Sequence, residues 1–270
     1  MRLIQHKREA YWFYRVISLG YDGWINPLFW TPAMRSRALA AARLDGRDLE
    51  VLDAGAGTGF TTEGIVASID PSCVTMLDQS PHQLARAARR PALTRVRRLV
   101  ADAEALPFGD DSFDRYVSAG SIEYWPDPQR GIAEAYRVLR PGGVALIVGP
   151  VQPAGRIARA LADLWMLFPS VEQYRTWFSR AGFTDVEVVT IAPDWYRDTR
   201  VPYAVAVAGV CAASGPSPAR LSPVTEALDA PQTVTERLRS AARFAIGSLA
   251  GLAFVPIALG MTLRARRGRS

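Results

Sequence analysis

One run, Asp53-Ala-Gly-Ala-Gly-Thr-Gly59, limits what this chain can fold into more than any other feature of it. It follows the apolar stretch Leu49 to Leu52, which predicts a strand. Glycines at 55, 57 and 59 let the backbone turn tightly and approach a ligand where any Cβ would collide. A strand that runs into such a turn and then into a helix opens a βαβ unit, whose ligands bind at the carboxyl end of the strand. A glycine-rich turn alone could serve a dinucleotide, a phosphate or merely a tight connection. Here the spacing is not G-x-G-x-x-G and no Lys-Ser/Thr follows, so a phosphate cradle is disfavoured. Asp53 instead places a carboxylate where a cationic amino-acid group could pair with it.

The rest of the chain fits an α/β sheet with helices on both faces. From Leu49 to about Cys211, short β-branched runs alternate with helical segments. The pattern predicts strands near 49–53, 73–78, 96–101, 113–118 and 143–149, and a terminal hairpin at 184–191 and 203–210. Helices are predicted near 60–69, 81–90, 128–139 and 170–181, with Pro141-Gly-Gly143 as a turn into the fifth strand. Four regions result: an aromatic, helical N-terminal lid at 1–46, the α/β domain at 47–211, a Pro/Ser/Ala-rich linker at 212–240, and an apolar helix with a basic tail at 241–270.

Two further acids stand at strand ends. Leu77-Asp78-Gln79-Ser80 closes the second strand, where an acid can reach ribose hydroxyls, and Ala101-Asp102-Ala103-Glu104-Ala105-Leu106-Pro107-Phe108 closes the third. Together with the glycine loop these segments resemble the class I S-adenosylmethionine-dependent methyltransferases. The resemblance implies a Rossmann-like, seven-stranded sheet with its last strand antiparallel. It also implies S-adenosylmethionine as cofactor, with Asp53 near the methionine amine, Gly55, Gly57 and Gly59 lining the site, Asp78 on the ribose and Asp102 at the adenine. Gln79, Ala103 and Ser118 complete the implied cofactor set.

The fourth strand leads into Val117-Ser-Ala-Gly-Ser-Ile-Glu123-Tyr124-Trp125-Pro-Asp-Pro-Gln-Arg130, an aromatic and acidic loop suited to a flat phenolic acceptor. This run, with Ile4-Gln-His-Lys, Asp78 to Ala85, Trp165-Met-Leu-Phe-Pro and Trp195-Tyr-Arg, is similar to the methyltransferases acting on 2-methyl-6-phytyl- and 2-methyl-6-solanesylbenzoquinol. That resemblance covers nearly the whole chain. It implies ring C-methylation of a prenylated benzoquinol on the way to tocopherol and plastoquinone. A ubiquinone- or menaquinone-type C-methyltransferase, or a non-catalytic membrane-bound binder of the same cofactor, are the alternatives. Ring methylation needs a phenol ionised beside the attacking carbon and a methyl group held in line. Glu123, His6 in the lid, and Tyr124 are the candidates for that proton. No Cys/His cluster offers a metal site, and His82 is expected at the surface.

Hydrophobic residues make up 49% of the 270 and charged residues 21%, which excludes wholesale disorder. The net charge of +6 raises the question of nucleic acid. Its arginines are scattered, however, apart from Arg86–Arg98, expected as a solvated helix face, and Arg264–Arg269. Cys73, in an apolar run, is expected as a buried free thiol, and two cysteines cannot build a disulfide framework. The N-terminus has no signal-peptide core or transit-peptide leader, so the chain is expected to begin as the mature protein. Residues 244–263 carry no charge and four arginines follow them. As a helix this run measures about 30 Å, one hydrocarbon core. It is expected to attach the protein to a membrane, spanning it or lying in it. The arginines would hold the C-terminus on the cytoplasmic side, and the catalytic domain is expected on the cytoplasmic or stromal side.

Overall fold

The computed structural model describes residues 29–198 and 200–221, and residues 235, 242, 245 and 260 singly. Seven strands form one sheet: β1 (Val51–Ala54), β2 (Val74–Asp78), β3 (Arg97–Val100), β4 (Phe113–Ala119), β5 (Leu139–Pro150), β6 (Phe183–Ile191) and β7 (Ala204–Cys211). Their order across the sheet is β3-β2-β1-β4-β5-β7-β6. β7 runs antiparallel to both neighbours, and the β1, β2, β3, β4 and β5 pairings are all parallel. The expected hairpin and antiparallel last strand are therefore both present.

Six helices cover the sheet: α1 (Pro32–Ala40), α2 (Phe60–Ile65), α3 (Pro81–Ala87), α4 (Pro128–Val138), α5 (Arg156–Trp165) and α6 (Val171–Ala181). Three of them start alike. Thr31, Ser80 and Asp127 each accept a backbone N–H through the side chain, and proline occupies the first helical position, where a missing N–H costs nothing. α6 carries a reciprocal capping box between Ser170 and Gln173 and ends at Gly182, whose φ of +96° suits glycine.

The period-2 alternation of the central strands feeds two cores. Leu52, Leu77, Tyr116 and Ile147 face α4 and α6, packing with Tyr136, Tyr174 and Phe178. Val51, Met76, Val117 and Leu146 face the other way, onto Met34, Ile65 and Leu84 of α1, α2 and α3. Each fully buried large side chain contributes about 1.5–3 kcal/mol.

Several expectations need correction. Pro141-Gly-Gly143 is not a turn before the fifth strand but a bulge within it. β5 pairs with β4 from Leu139, and the register shifts before Val144. Gly142 takes φ +80° there, and a Cβ on Gly143 would press on the carbonyls of Arg140 and Asp114. α2 and α3 stop at Ile65 and Ala87, short of the expected ends. Cys73 closes a 3-10 turn (Pro71–Cys73) ahead of β2 and is half-buried, not buried within the strand. The run Arg86–Arg98 lies on no single helix face. It crosses the end of α3 and a 3-10 turn to reach β3, where Arg97 and Arg98 are exposed on an edge strand that charge protects from further pairing.

Among the described residues no helix is long and apolar enough to cross a membrane. The apolar run 244–263 lies outside them, apart from Ala245 and Gly260, and so does the lid up to residue 28 with His6.

Candidate active site and cofactor cleft

The strand order reverses between β1 and β4, and sheets of this kind bind their ligands beside that point, at the carboxyl ends of the strands. The loop after β1 is held against β2, because Gly55 and Ala56 donate backbone N–H bonds to the Leu77 carbonyl at 2.8 and 3.0 Å. Gly55, Gly57 and Gly59 all take positive φ. They serve different purposes. A Cβ on Gly55 would collide with Ser121, and one on Gly59 with Leu93, so these two glycines allow elements to pack. Among the described residues a Cβ on Gly57 would meet no atom within 4 Å, so there this residue alone of the three borders open space. Gly57 is the position that leaves room for a ligand.

Around that space stand the acids. Asp53 is fully buried in β1, and its Oδ2 accepts the Thr62 hydroxyl at 2.6 Å. Its Oδ1 is buried with no hydrogen-bond partner among the described residues. Burial pushes its pKa up to about 7, against the Thr62 bond that lowers it, with nearby Asp78 raising it further. A carboxylate held out of water with one oxygen unpaired fits an ammonium group. Asp78 accepts Gly57 N–H at 2.9 Å and Ser80 N–H at 2.8 Å, which sets both the glycine loop and the start of α3. Asp102 accepts Glu104 N–H at 2.9 Å and the Gln79 amide at 3.3 Å, so the acids after β2 and β3 are joined. Ala103 is buried behind them. Ser118 lies buried at the end of β4, its hydroxyl 2.7 Å from that of Ser121.

The acceptor side begins at Gly120, with φ +69°. A 3-10 turn, Ile122–Tyr124, then buries all three of its side chains. Glu123 is the anomaly among them. Its carboxylate is buried, its Oε2 has no partner among the described residues, and burial lifts its pKa to about 7. The fully buried Tyr174 of α6 gives its hydroxyl proton to the Pro150 carbonyl at 3.1 Å, and burial and then Glu123 push its own pKa well up. Tyr124 is buried within the turn. The turn is fixed from outside by Leu167 N–H on the Glu123 carbonyl (3.1 Å) and by Glu104, which accepts Asp127 N–H at 2.6 Å.

The structure thus gathers Asp53, Gly57, Asp78, Gln79, Asp102, Ser118 and Glu123 at one edge of the sheet. His82 is exposed at the start of α3. Sequence reasoning missed Thr62, Glu104, Ser121 and Tyr174. The first three sit within or beside quoted motifs without a spacing that marks them, and Tyr174 comes from a helix whose only visible pattern is its apolar face.

A seven-stranded sheet in this order, with an acid-flanked glycine loop at its switch point, defines an S-adenosylmethionine-dependent methyltransferase of class I. A family model described as "Methyltransferase domain" matches residues 52–147. The chain is 51% identical to 2-methyl-6-phytyl-1,4-hydroquinone methyltransferase 2, chloroplastic, of Oryza sativa subsp. japonica, over 97% of this chain and 76% of that one. It is likewise 51% identical to the Arabidopsis thaliana 2-methyl-6-phytyl-1,4-hydroquinone methyltransferase, chloroplastic, over 97% and 78%. In fold it resembles the crystal structure of a SAM-dependent methyltransferase of Thermotoga maritima, with a TM-score of 0.59, 21% identity, and coverage of 75% of this chain and 99% of that one. The chain belongs to the family of 2-methyl-6-phytyl-1,4-hydroquinone methyltransferases, and its cofactor is S-adenosylmethionine.

Proposed function

We propose that this chain methylates a ring carbon of a prenylated hydroquinone of the 2-methyl-6-phytyl or 2-methyl-6-solanesyl type, with Glu123 as the base. The carrying observation is the buried, half-unpaired Glu123 carboxylate on the loop after β4, next to the cofactor crevice. The names of the relatives supply the ring. Bound S-adenosylmethionine supplies an electrophilic methyl group on a sulfonium centre. Asp53 holds the amine through its open oxygen, Asp78 and the Gln79–Asp102 pair address ribose and adenine, and Gly57 leaves the space. Glu123, with a pKa near 7, accepts a ring hydroxyl proton at neutral pH, which makes the adjacent ring carbon nucleophilic. Transfer of the methyl group to that carbon would break the sulfonium–methyl bond and leave a neutral thioether, and loss of the ring C–H proton would restore the hydroxyl, so one proton is released per turnover. Tyr124 and His6 remain candidates to orient the ring.

A membrane supplies such a substrate. We infer that residues 241–270 attach the protein to it through the uncharged run 244–263 lying in the interface, so that the catalytic domain and the terminal arginines share the cytoplasmic or stromal side. Incubation with methyl-labelled S-adenosylmethionine and a panel of reduced demethyl prenylquinols tests the substrate class. Label should pass to 2-methyl-6-prenyl hydroquinones, and its passage only to demethylmenaquinol or a ubiquinol precursor would refute the reading.

A further inference from the structure

The edge of the sheet that carries the cofactor loop and Glu123 continues past β5 to the β6–β7 connection, residues 192–203. There four rings meet: Phe29, Trp195, Tyr196 and Tyr203. Trp195 packs edge-on against Phe29 (centroids 6.1 Å apart) and Tyr203 (5.5 Å), and Tyr196 against Tyr203 (5.3 Å). Both phenols are engaged by backbone. Tyr196 donates to the Val201 carbonyl at 2.8 Å and Tyr203 to the Phe29 carbonyl at 3.3 Å. All four side chains are half-buried, and both phenol hydroxyls are taken up by backbone carbonyls, so ring surface is available at this corner. The connection carries two acids and two arginines, which sum to zero formal charge, and Arg200 grips Asp198 through two nitrogens at 3.0 and 2.7 Å. This corner therefore offers little net charge to anionic headgroups and a good surface to an uncharged apolar chain.

Its distance from the reacting centre fits the same occupant. From β4, which ends beside Glu123, to β6 is three strand spacings of roughly 4.8 Å, about 14 Å in all. One isoprene unit has four chain bonds of about 1.5 Å each and reaches at most ~6 Å. A phytyl chain, with roughly four times as many bonds, covers the distance. The corner is also tied to the active-site edge, because Val151 N–H bonds the Tyr203 carbonyl at 3.1 Å directly after β5. Resting on the hydroquinone reading above, we infer that Phe29, Trp195, Tyr196 and Tyr203 form the wall that receives the isoprenoid chain of the acceptor beyond its first unit. These residues set chain-length preference.

The test compares two reduced 2-methyl-6-prenyl hydroquinones in detergent micelles, one with a single isoprene unit and one with a phytyl chain. Trp195→Ala and Tyr196→Ala should each lower kcat/KM for the phytyl acceptor about tenfold, mostly through KM. For the short acceptor the loss should stay under threefold. Trp195→Phe, which keeps a ring, should preserve most of the long-to-short ratio, and carries the test with Tyr196→Ala if Trp195→Ala does not fold. Equal losses on both acceptors would overturn the inference. So would an unchanged ratio with weakened flotation on phosphatidylglycerol-containing vesicles, which would assign the rings to lipid. Failure of the wild type on both acceptors would instead overturn the hydroquinone reading itself.

Discussion

Asp53 and Glu123 are buried carboxyls, each with one oxygen unpaired among the described residues and each with its pKa raised by burial to about 7. In the unfolded chain both return to ordinary carboxylate values. The folded protein therefore binds more protons than the unfolded one between about pH 4 and 7, and the cofactor-free protein loses stability as pH rises through that window. Asp53→Asn should accordingly raise the melting temperature of the cofactor-free protein at pH 8 while weakening S-adenosylmethionine binding; a lowered melting temperature would mean the carboxylate is paired. Wild-type affinity for S-adenosylmethionine, measured by calorimetry, should rise about tenfold from pH 6 to pH 8 as Asp53 ionises, and the variant should lose that dependence. Glu123→Gln keeps shape but not basicity, so the rate should fall roughly 10²-fold or more with cofactor affinity retained, and partly recover at high pH. A wild-type rate in that variant would transfer the proton to Tyr124, His6 or water. Gly57→Val should abolish cofactor binding, since it combines a φ of +56° with a side chain in the open space. The acids were legible because each ends a strand. The separate duties of the glycines were not, because which one faces the ligand depends on Ser121 and Leu93, remote in the chain.

At the scale of elements, strong local chemistry coincided with what formed. The proline-started helices α3 and α4 and the capped α6 begin within a residue or two of expectation. Ser170→Ala, which removes one half of the α6 capping box, should cost about 1 kcal/mol. In a domain of this size that lowers the melting temperature by roughly 2–4 °C in a thermal scan. Where local signals were absent or misleading, the reading went astray. α5 was not anticipated, and its N-cap Gly155 makes no side-chain bond that a sequence could advertise. Pro141-Gly-Gly143 carries the composition of a turn but is a bulge, because β4 supplies pairing on both sides of it. The apolar run 244–263 poses the remaining question at this scale. Deleting residues 240–270 should move the protein from the membrane pellet to the supernatant. Continued pelleting would give the anchoring role to the aromatic segment before Phe29.

The whole molecule joins the cofactor loop after β1 to the buried 3-10 turn after β4, the proposed acceptor side. The strand order puts the cofactor acids of β1, β2 and β3 on one side of the switch point. Glu123, Tyr174 and the aromatic corner lie on the other. On the proposed reading the acceptor occupies the second half, so the two halves can be perturbed separately: variants at Asp53 or Gly57 should act on cofactor affinity, and variants at Glu123 on rate. The methyl group passes to a ring carbon and not to a hydroxyl. This is tested most directly by turnover with methyl-13C S-adenosylmethionine and reduced 2-methyl-6-phytylhydroquinone, followed by 13C NMR of the extracted product. The label should resonate as an aryl methyl, with both hydroxyls still free. A labelled methoxyl, or no labelled quinol in any form, would contradict it.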